Sequence, residues 1–256
     1  MKSTSLLCAG TLLLALLAGC DGDSAGNTAS PVAAPGSEAS ARTRLLEAGA
    51  AALQRMPPVD ALNTYLDGFH FYSGQMAAQM EAHHYCSVLN EDVIQCVIYD
   101  GNVRDAKLMG VEYIVSARLF GTLPAAEQRL WHSHVHEVKS GQLIVPGVPA
   151  PAEKALMEKL VSTYGKTWHT WHTDRDKQLP LGVPQLMMGA TADGQIDEAL
   201  VAERDRRFEV DSQRKRQERA DIPAPAVHPG ADAWQRGPAY QIEDPAGSHH
   251  EAAPAR

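Results

Sequence analysis

The chain has 256 residues, of which 44% are apolar and 21% are charged, a composition that is ordinary for a soluble protein. Its formal net charge of −8 argues against nucleic acid as a partner held by bulk electrostatics. No segment after residue 20 has the uninterrupted run of about 20 apolar residues that a membrane-spanning helix requires.

The first residues predict a targeting segment. A basic start precedes the apolar run Leu12–Ala18, and the run ends in Leu17–Cys20, a tetrapeptide typical of bacterial lipoprotein signals. Cleavage after residue 19 would leave Cys20 acylated, and a palmitate-type anchor holds a protein to membrane lipid without a spanning helix. The predicted localisation is therefore the bacterial cell envelope, in either the inner or the outer membrane. An ordinary signal peptide cut after small residues is the alternative.

Between its polar ends the sequence predicts a single α+β domain, with helices packed on short antiparallel strands. The predicted organisation is a signal peptide (1–19), a tether (20–37), the domain (38–190), a charged helix (191–220) and a disordered tail (221–256). Apolar residues at spacings of three and four predict helices over 38–56, 59–81 with an internal break, 107–120, 122–131 and 152–164. Alternation and turn residues predict strands over 85–99 as a hairpin, 131–141, 142–145 and 166–173.

The predicted hairpin contains two of the cysteines. A turn centred on Glu91 would place Cys86 directly opposite Cys96, where the two sulfur atoms can meet disulfide geometry. The pair is a candidate disulfide, and two packed thiols are the alternative. A Cys86 thiol activated by His84 on the same strand face is a weaker hypothesis, because such cysteines are commonly only packed.

Histidines mark the most informative stretch of the sequence, Trp131–Gly141. On a strand, side chains two apart share a face, so His132, His134 and His136 would line up together. Imidazole binds zinc, copper, iron and nickel. Two ligands from this strand, joined by one from the pair His83–His84, would leave the open position of a catalytic metal site.

A structural role and a nucleophilic role are the alternatives for these residues. Buried histidines commonly bond to the backbone and to neighbouring side chains, and this interpretation stays open beside the metal site. Glu137 would face away from the histidines unless the strand bulges. On a strand the side chain of Ser133 would point to the face opposite that of His132, so His132 could not easily act as its general base. The sequence contains no Cys-x-x-Cys or His-Glu-x-x-His pattern, no nucleophile elbow and no phosphate-binding glycine loop.

Five segments of the chain resemble one known family. They are Leu62–His70 (LNTYLDGFH), Glu81–Cys86 (EAHHYC), Leu130–His134 (LWHSH), Glu137–Gly141 (EVKSG) and Leu179–Gly182 (LPLG). In this order they look like the oil-body-associated proteins of plants, a domain-of-unknown-function family with fungal and bacterial members that include lipoproteins. The resemblance covers residues 59–215.

The resemblance implies a role beside lipid, because the plant members associate with seed lipid droplets, and it implies no catalytic mechanism. It also implies no obligatory disulfide, because the plant proteins have cysteines matching Cys86 and Cys96 in a reducing cytosol. On the resemblance, His136, His169 and His172 carry less weight than the candidate metal ligands, which are His83, His84, His132 and His134.

The predicted function is therefore a membrane-anchored envelope lipoprotein that acts without catalysis at a lipid or membrane surface. Its predicted partner is membrane lipid, through an acyl group on Cys20. The alternative is a metal-binding protein or metal-dependent enzyme that uses the histidine cluster with a transition metal such as zinc.

Overall fold

Seven strands and eight α-helices make up the described part of the structure, a computed structural model that describes residues 26–237 and 240–243. The strands are β1 Thr64–Tyr72, β2 Gln75–Val88, β3 Val93–Tyr99, β4 Leu108–Ser116, β5 His132–Ser133, β6 Thr163–His169 and β7 Gln185–Met188. The helices are α1 Ala41–Leu53, α2 Pro57–Asp60, α3 Ala117–Phe120, α4 Ala125–Gln128, α5 Val135–Ser140, α6 Ala150–Leu160, α7 Glu198–Phe208 and α8 Ser212–Glu218, with a 3₁₀ turn at Ala233–Gln235. Among the described residues, no helix has both the length and the apolar content needed to cross a membrane.

Six of these strands close into an antiparallel barrel in the order β4-β3-β2-β1-β7-β6. Closure comes from β4, which pairs with β3 along one edge and with β6 along the other. Because β4 takes one whole edge of β6, strands β5 and β7 share the opposite edge. There β5 pairs with Tyr164 and Gly165, and β7 pairs with residues 167–169. The predicted α+β class is confirmed at this coarse level, but the strands form a closed barrel instead of short strands beneath helices.

The sequence predicts helix for β1 and for the first half of β2, and this prediction is wrong. All of Leu66–Tyr72 in β1 is buried. One face of β1 lines the barrel, while on the other Phe69 contacts Arg204 of α7 and Phe71 contacts Trp234. Apolar residues therefore occupy consecutive positions, and such a run fits helical spacing as well as a strand. The predicted helix over 107–120 is wrong for the same reason, since β4 fills most of it.

One end of the barrel interior is apolar. Leu66 of β1 and Ile114 of β4 pack there with Leu160 of α6, and each such buried side chain stabilises the fold by about 1.5–3 kcal/mol. Cys86 and Cys96 join this cluster as a disulfide between facing positions of β2 and β3. The disulfide and the apolar side chains together hold the wall beside the polar middle of the barrel.

The histidine-containing stretch is extended over only two residues. β5 ends at Ser133, and α5 begins at Val135. α5 ends at Ser140 and is capped by Gly141, where a φ of +82° and the close approach of the Ser212 carbonyl both require glycine. The predicted strand over 131–141 is therefore wrong beyond Ser133, and the helical turn changes which side chains face inward.

The C-terminal part of the chain packs onto the barrel. The predicted charged helix is two helices, α7 and α8, and Arg204 of α7 is fully buried against Asp67 of β1. The described residues after 220 include the buried Ile222 and Ala231, although the composition predicts disorder for them. Few residues in this segment are apolar, but some of them enter the core, so the domain extends beyond residue 190.

Candidate metal centre

The carboxylate of Glu112 on β4 lies in the barrel interior with four buried imidazoles around it. Its Oε2 atom is 2.9 Å from Nε2 of His84 and 3.9 Å from Nε2 of His70. Its Oε1 atom is 3.2 Å from Nε2 of His134 and 3.5 Å from Nε2 of His132. Each carboxylate oxygen therefore faces its own pair of histidines.

Barrel closure brings these residues together from separate elements. His70 and His84 lie on the neighbouring strands β1 and β2, and both point inward. Glu112 is on β4, the strand that pairs with β6 to close the barrel. His132 on β5 reaches the same place because it pairs with Gly165 of β6. Inward positions alternate along each strand, so the centre takes only one or two residues from any element.

Hydrogen bonds at Nδ1 determine the protonation of two of these rings. Nδ1 of His84 is 3.0 Å from the carbonyl oxygen of Ala82, which can only accept, so this nitrogen carries a proton. Nδ1 of His134 is 2.8 Å from Oγ1 of Thr163, whose hydroxyl donates to a backbone carbonyl, so His134 also donates from Nδ1. In the neutral rings, both Nε2 atoms are then bare acceptors that face the oxygens of Glu112.

Two acceptors this close require a positive charge. The bare Nε2 atoms of His84 and His134 lie only 2.9 and 3.2 Å from carboxylate oxygens. Either the rings are protonated at Nε2, or a cation lies between the nitrogen atoms and the carboxylate. Histidines that bind metals commonly donate their other N–H to a carbonyl or similar acceptor, as both rings do here.

The negative charge of ionised Glu112 dominates the electrostatics of the barrel interior. Burial acts to raise the pKa of Glu112, but the neighbouring His132, His134 and His84 outweigh it and hold the pKa well below its ordinary value. Burial acts to lower the pKa of His84, yet the carboxylate raises it overall. Burial lowers the pKa of His70 well below its ordinary value. Ionised Glu112 therefore needs a cationic partner. Not every one of the four imidazole rings can be that cation, because burial keeps His70 neutral.

A cavity of about 20 Å³ lies between these side chains. This volume accommodates one water molecule or one ion. Gly165 keeps the space open, because a Cβ there would overlap Oε1 of Glu112 and lie 2.8 Å from Nε2 of His132 and of His134. Within the described part of the chain, neither ring nitrogen of His132 has a hydrogen-bond partner. Buried polar atoms are rarely left unsatisfied, so these nitrogens indicate a ligand.

Three of the four predicted ligands meet at this centre. His84, His132 and His134 all lie against Glu112, whereas His83 faces the outside of the barrel. The reason is strand geometry: adjacent residues of β2 point to opposite faces, so the pair cannot serve one site.

His83 belongs to a second group of ionisable residues outside the barrel. Its Nδ1 atom is 3.0 Å from Oδ2 of Asp67, and its Nε2 atom is 3.5 Å from Oε1 of Glu81. These three residues are close enough together to hold an ion. However, Arg204 pairs with Asp67 and Arg207 pairs with Glu81. Because the chain's own cations balance the carboxylates, this group joins α7 to the barrel instead of offering a metal site.

Sequence reasoning missed Glu112 and His70 as members of the centre. Both lie in segments predicted as helices, so their inward direction was hidden, although a lone acid within the apolar run of β4 was a usable signal. Glu137 was expected to face away, but α5 turns it into the cavity. The same turn carries His136 away from the centre, to 3.8 Å from Asp193.

Comparison with known proteins connects the chain to one family. Residues 56–223 match the family described as "Protein of unknown function (DUF1264)". Oil body-associated protein 1B of Arabidopsis thaliana is 41% identical over 220 residues, which cover 85% of this chain and 91% of the relative. Oil body-associated protein 1A of Zea mays is 45% identical over 212 residues, which cover 82% of this chain and 89% of the relative. No solved structure matches the chain.

These relatives correct the predicted localisation and function. They are plant proteins named for oil bodies, so the prediction of a bacterial envelope lipoprotein is wrong. The predicted signal peptide and the acylated Cys20 lie outside the described residues. The resemblance carried by the middle segments is confirmed, because the matched region contains all of them. The chain belongs to the family of oil body-associated proteins.

Proposed function

We propose that this protein binds one divalent transition-metal ion inside the barrel. The ligands in this proposal are Glu112 with His132 and His134, or Glu112 with His84 and His70 on its other oxygen. The observation that carries it is the pair of rings whose Nδ1 atoms already donate and whose bare Nε2 atoms face a buried carboxylate. Imidazole and carboxylate together suit zinc, iron and manganese.

A cluster of imidazolium rings around Glu112 is the metal-free alternative. Glu112 balances only one positive charge, and burial opposes a second charged ring. Burial also raises the pKa of Glu137, the other carboxylate of the cavity, and so disfavours its negative charge. The lowered pKa of His70, which burial causes, makes it unsuitable as a further cation. This alternative also leaves Nδ1 of His132 without a hydrogen-bond partner among the described residues. A bound ion satisfies more of the buried polar atoms.

Metal analysis of the untagged full-length protein tests the proposal. Mass spectrometry after dialysis should find about one transition-metal ion per chain, as expected for a buried site with proper ligand geometry. Glu112→Gln and the double variant His132→Ala, His134→Ala should lose the ion. His136→Ala is the matched control, because it removes a histidine of the same stretch that lies outside the centre. A metal-free wild type, or full retention by Glu112→Gln, would reject the proposal.

The relatives' names favour a second function, association with oil bodies. Helix α1 supports it, because this helix buries none of its residues. Leu45, Leu46 and Leu53 are 73%, 64% and 86% exposed and fall on one side of the helix. An apolar helix face without a protein partner suits the surface of an oil body.

Flotation with artificial oil droplets tests the second function. Replacing Leu45 and Leu46 by Asp should reduce the fraction of protein that floats, because charges oppose insertion of the α1 face. Leu181→Asp is the control, since it changes an exposed leucine in a loop of the domain. Equal flotation of the α1 variant and the wild type would reject a role for this helix.

A further inference from the structure

An apolar groove on the outer surface of the barrel is lined neither by the candidate metal ligands nor by α1. It has a volume of about 270 Å³ and is bounded by β2, β3 and the loop that follows β3. Most of its wall is apolar or aromatic, and the side chains that form it include Leu62, Tyr85, Val97, Tyr99, Val103 and Ala106. All six are half-buried, so the groove is a formed surface instead of a row of isolated exposed residues.

Strand geometry explains why this wall faces outward. Cys86 and Cys96 pack in the barrel interior, so their chain neighbours Tyr85 and Val97 point away from it, and these two lie directly opposite each other on β2 and β3. The ring of Tyr99 meets the ring of Tyr85 edge to face, with centroids 5.7 Å apart. These contacts hold the wall in place, so a ligand can enter without a rearrangement of the barrel.

Arg104 is the one charged side chain among the described residues that line the groove. It is exposed and makes no hydrogen bond or ion pair with the described part of the chain. The acids of the same loop do not line the groove, and Asp100 accepts hydrogen bonds from Ser30 and Lys107. The planar guanidinium matches the geometry of a carboxylate. An apolar groove beside an unpaired guanidinium therefore complements a molecule that has an apolar chain and a carboxylate end.

We propose that this groove binds the chain of a free fatty acid and that Arg104 binds its carboxylate. Sites for small molecules commonly have volumes of about 300–1,000 Å³, so a groove of about 270 Å³ accommodates one narrow chain and not the two chains of a phospholipid. The proposal goes beyond both proposed functions, because neither the metal ligands nor the leucines of α1 line the groove.

Decanoate, kept below the concentration at which it forms micelles, is the probe for the full-length protein. Isothermal titration calorimetry should find about one decanoate per chain. Arg104→Gln should weaken decanoate binding about tenfold, because it removes the cation that meets the carboxylate. The same variant should bind uncharged 1-decanol as the wild type does. Val103→Asp should weaken the binding of both compounds, because it places a charge in the apolar wall.

Matched controls separate these effects from general changes of the surface. Arg206→Gln removes an exposed arginine of α7, and Val88→Asp changes an exposed valine at the end of β2; neither residue lines the groove. Both variants should bind decanoate as the wild type does. The variant with Asp at positions 45 and 46 should also bind it normally, so failure of the oil-body function and failure of this proposal are distinguishable.

Three results would overturn the proposal. The first is a wild type that does not bind decanoate, or equal decanoate affinity in the wild type and Arg104→Gln. The second comes from nuclear Overhauser contacts, which need no variant and serve if Val103→Asp does not fold: the decanoate methylenes should contact the rings of Tyr85 and Tyr99, and contacts elsewhere would contradict this. The third is a dimer, seen by light scattering, that dissociates in Val103→Asp, because the groove would then be the contact between two copies of the chain.

Discussion

A methyl group at Gly165 should abolish metal binding without dismantling the barrel. Gly165 has no positive φ, so Gly165→Ala changes only the space inside β6. The new Cβ would overlap Oε1 of Glu112 and lie 2.8 Å from Nε2 of His132 and of His134, whereas ordinary contact begins at 3.4 Å. The carboxylate must therefore move away, and each nitrogen must retreat by about 0.6 Å. Metal–ligand distances tolerate only about 0.2 Å, so the site cannot form. Overpacking of this kind costs about 1–3 kcal/mol of folding free energy.

Zinc competition titration and urea unfolding together measure this effect. Zinc affinity should fall at least about 100-fold, which is the largest loss usually seen when a residue that supports the ligands is changed. Gly49→Ala is the control, because nothing lies within 4 Å of a Cβ at that position on α1. Wild-type zinc affinity in Gly165→Ala would refute the reasoning, since the methyl group would then occupy space that the ion does not need.

Three further predictions concern the contacts that hold the barrel. Arg204→Met should lower the free energy of unfolding by about 3–5 kcal/mol in urea, because it leaves the buried Asp67 without its cation, and adding Asp67→Asn should restore most of the loss. Burial acts to raise the pKa of Asp67, but His83 and Arg204 outweigh burial and lower this pKa below the ordinary 3.8. The stabilisation of the fold by ionised Asp67 is therefore complete above that ordinary value and is lost as the pH falls through the lowered pKa. Acid titration of stability should therefore bring wild type and Asp67→Asn together at low pH, and a constant difference would contradict this. Asp232→Ala should cost about 1–3 kcal/mol, because Asp232 accepts hydrogen bonds from N and Oγ of Ser133, and an unchanged thermal midpoint would show that the C-terminal segment does not hold β5.

Local signals were sufficient where one element is defined by its own residues. The hairpin predicted over 85–99 is present as β2 and β3, with Cys86 opposite Cys96, because alternation around a short polar turn determines both the strands and their register. The helix predicted over 152–164 is α6, which ends at Leu160 before β6 begins. Its apolar residues face one side only, so their spacing was informative.

Local signals failed where a strand has apolar residues on both of its faces. β1 and β4 are strands with apolar residues at helical spacing, and no periodicity distinguishes the two structures in such a run. This failure concealed two of the five residues of the candidate centre, because Glu112 and His70 lie in those strands. The error at α5 was the reverse, because a predicted strand is a helix after its first residues. As a result Glu137 faces the cavity and His136 faces away from it, whereas a strand would direct them the other way.

The sequence by itself determined the family, the hairpin and the choice of His84, His132 and His134 as candidate ligands, because these depend on residue types and short spacings. Only the tertiary structure decided that Glu112 lies among them, that His83 faces the other way and that Glu137 lines the same cavity. The physical reason is closure of the barrel. Inward directions are set by strand pairing between distant segments, and no short stretch of sequence contains that information.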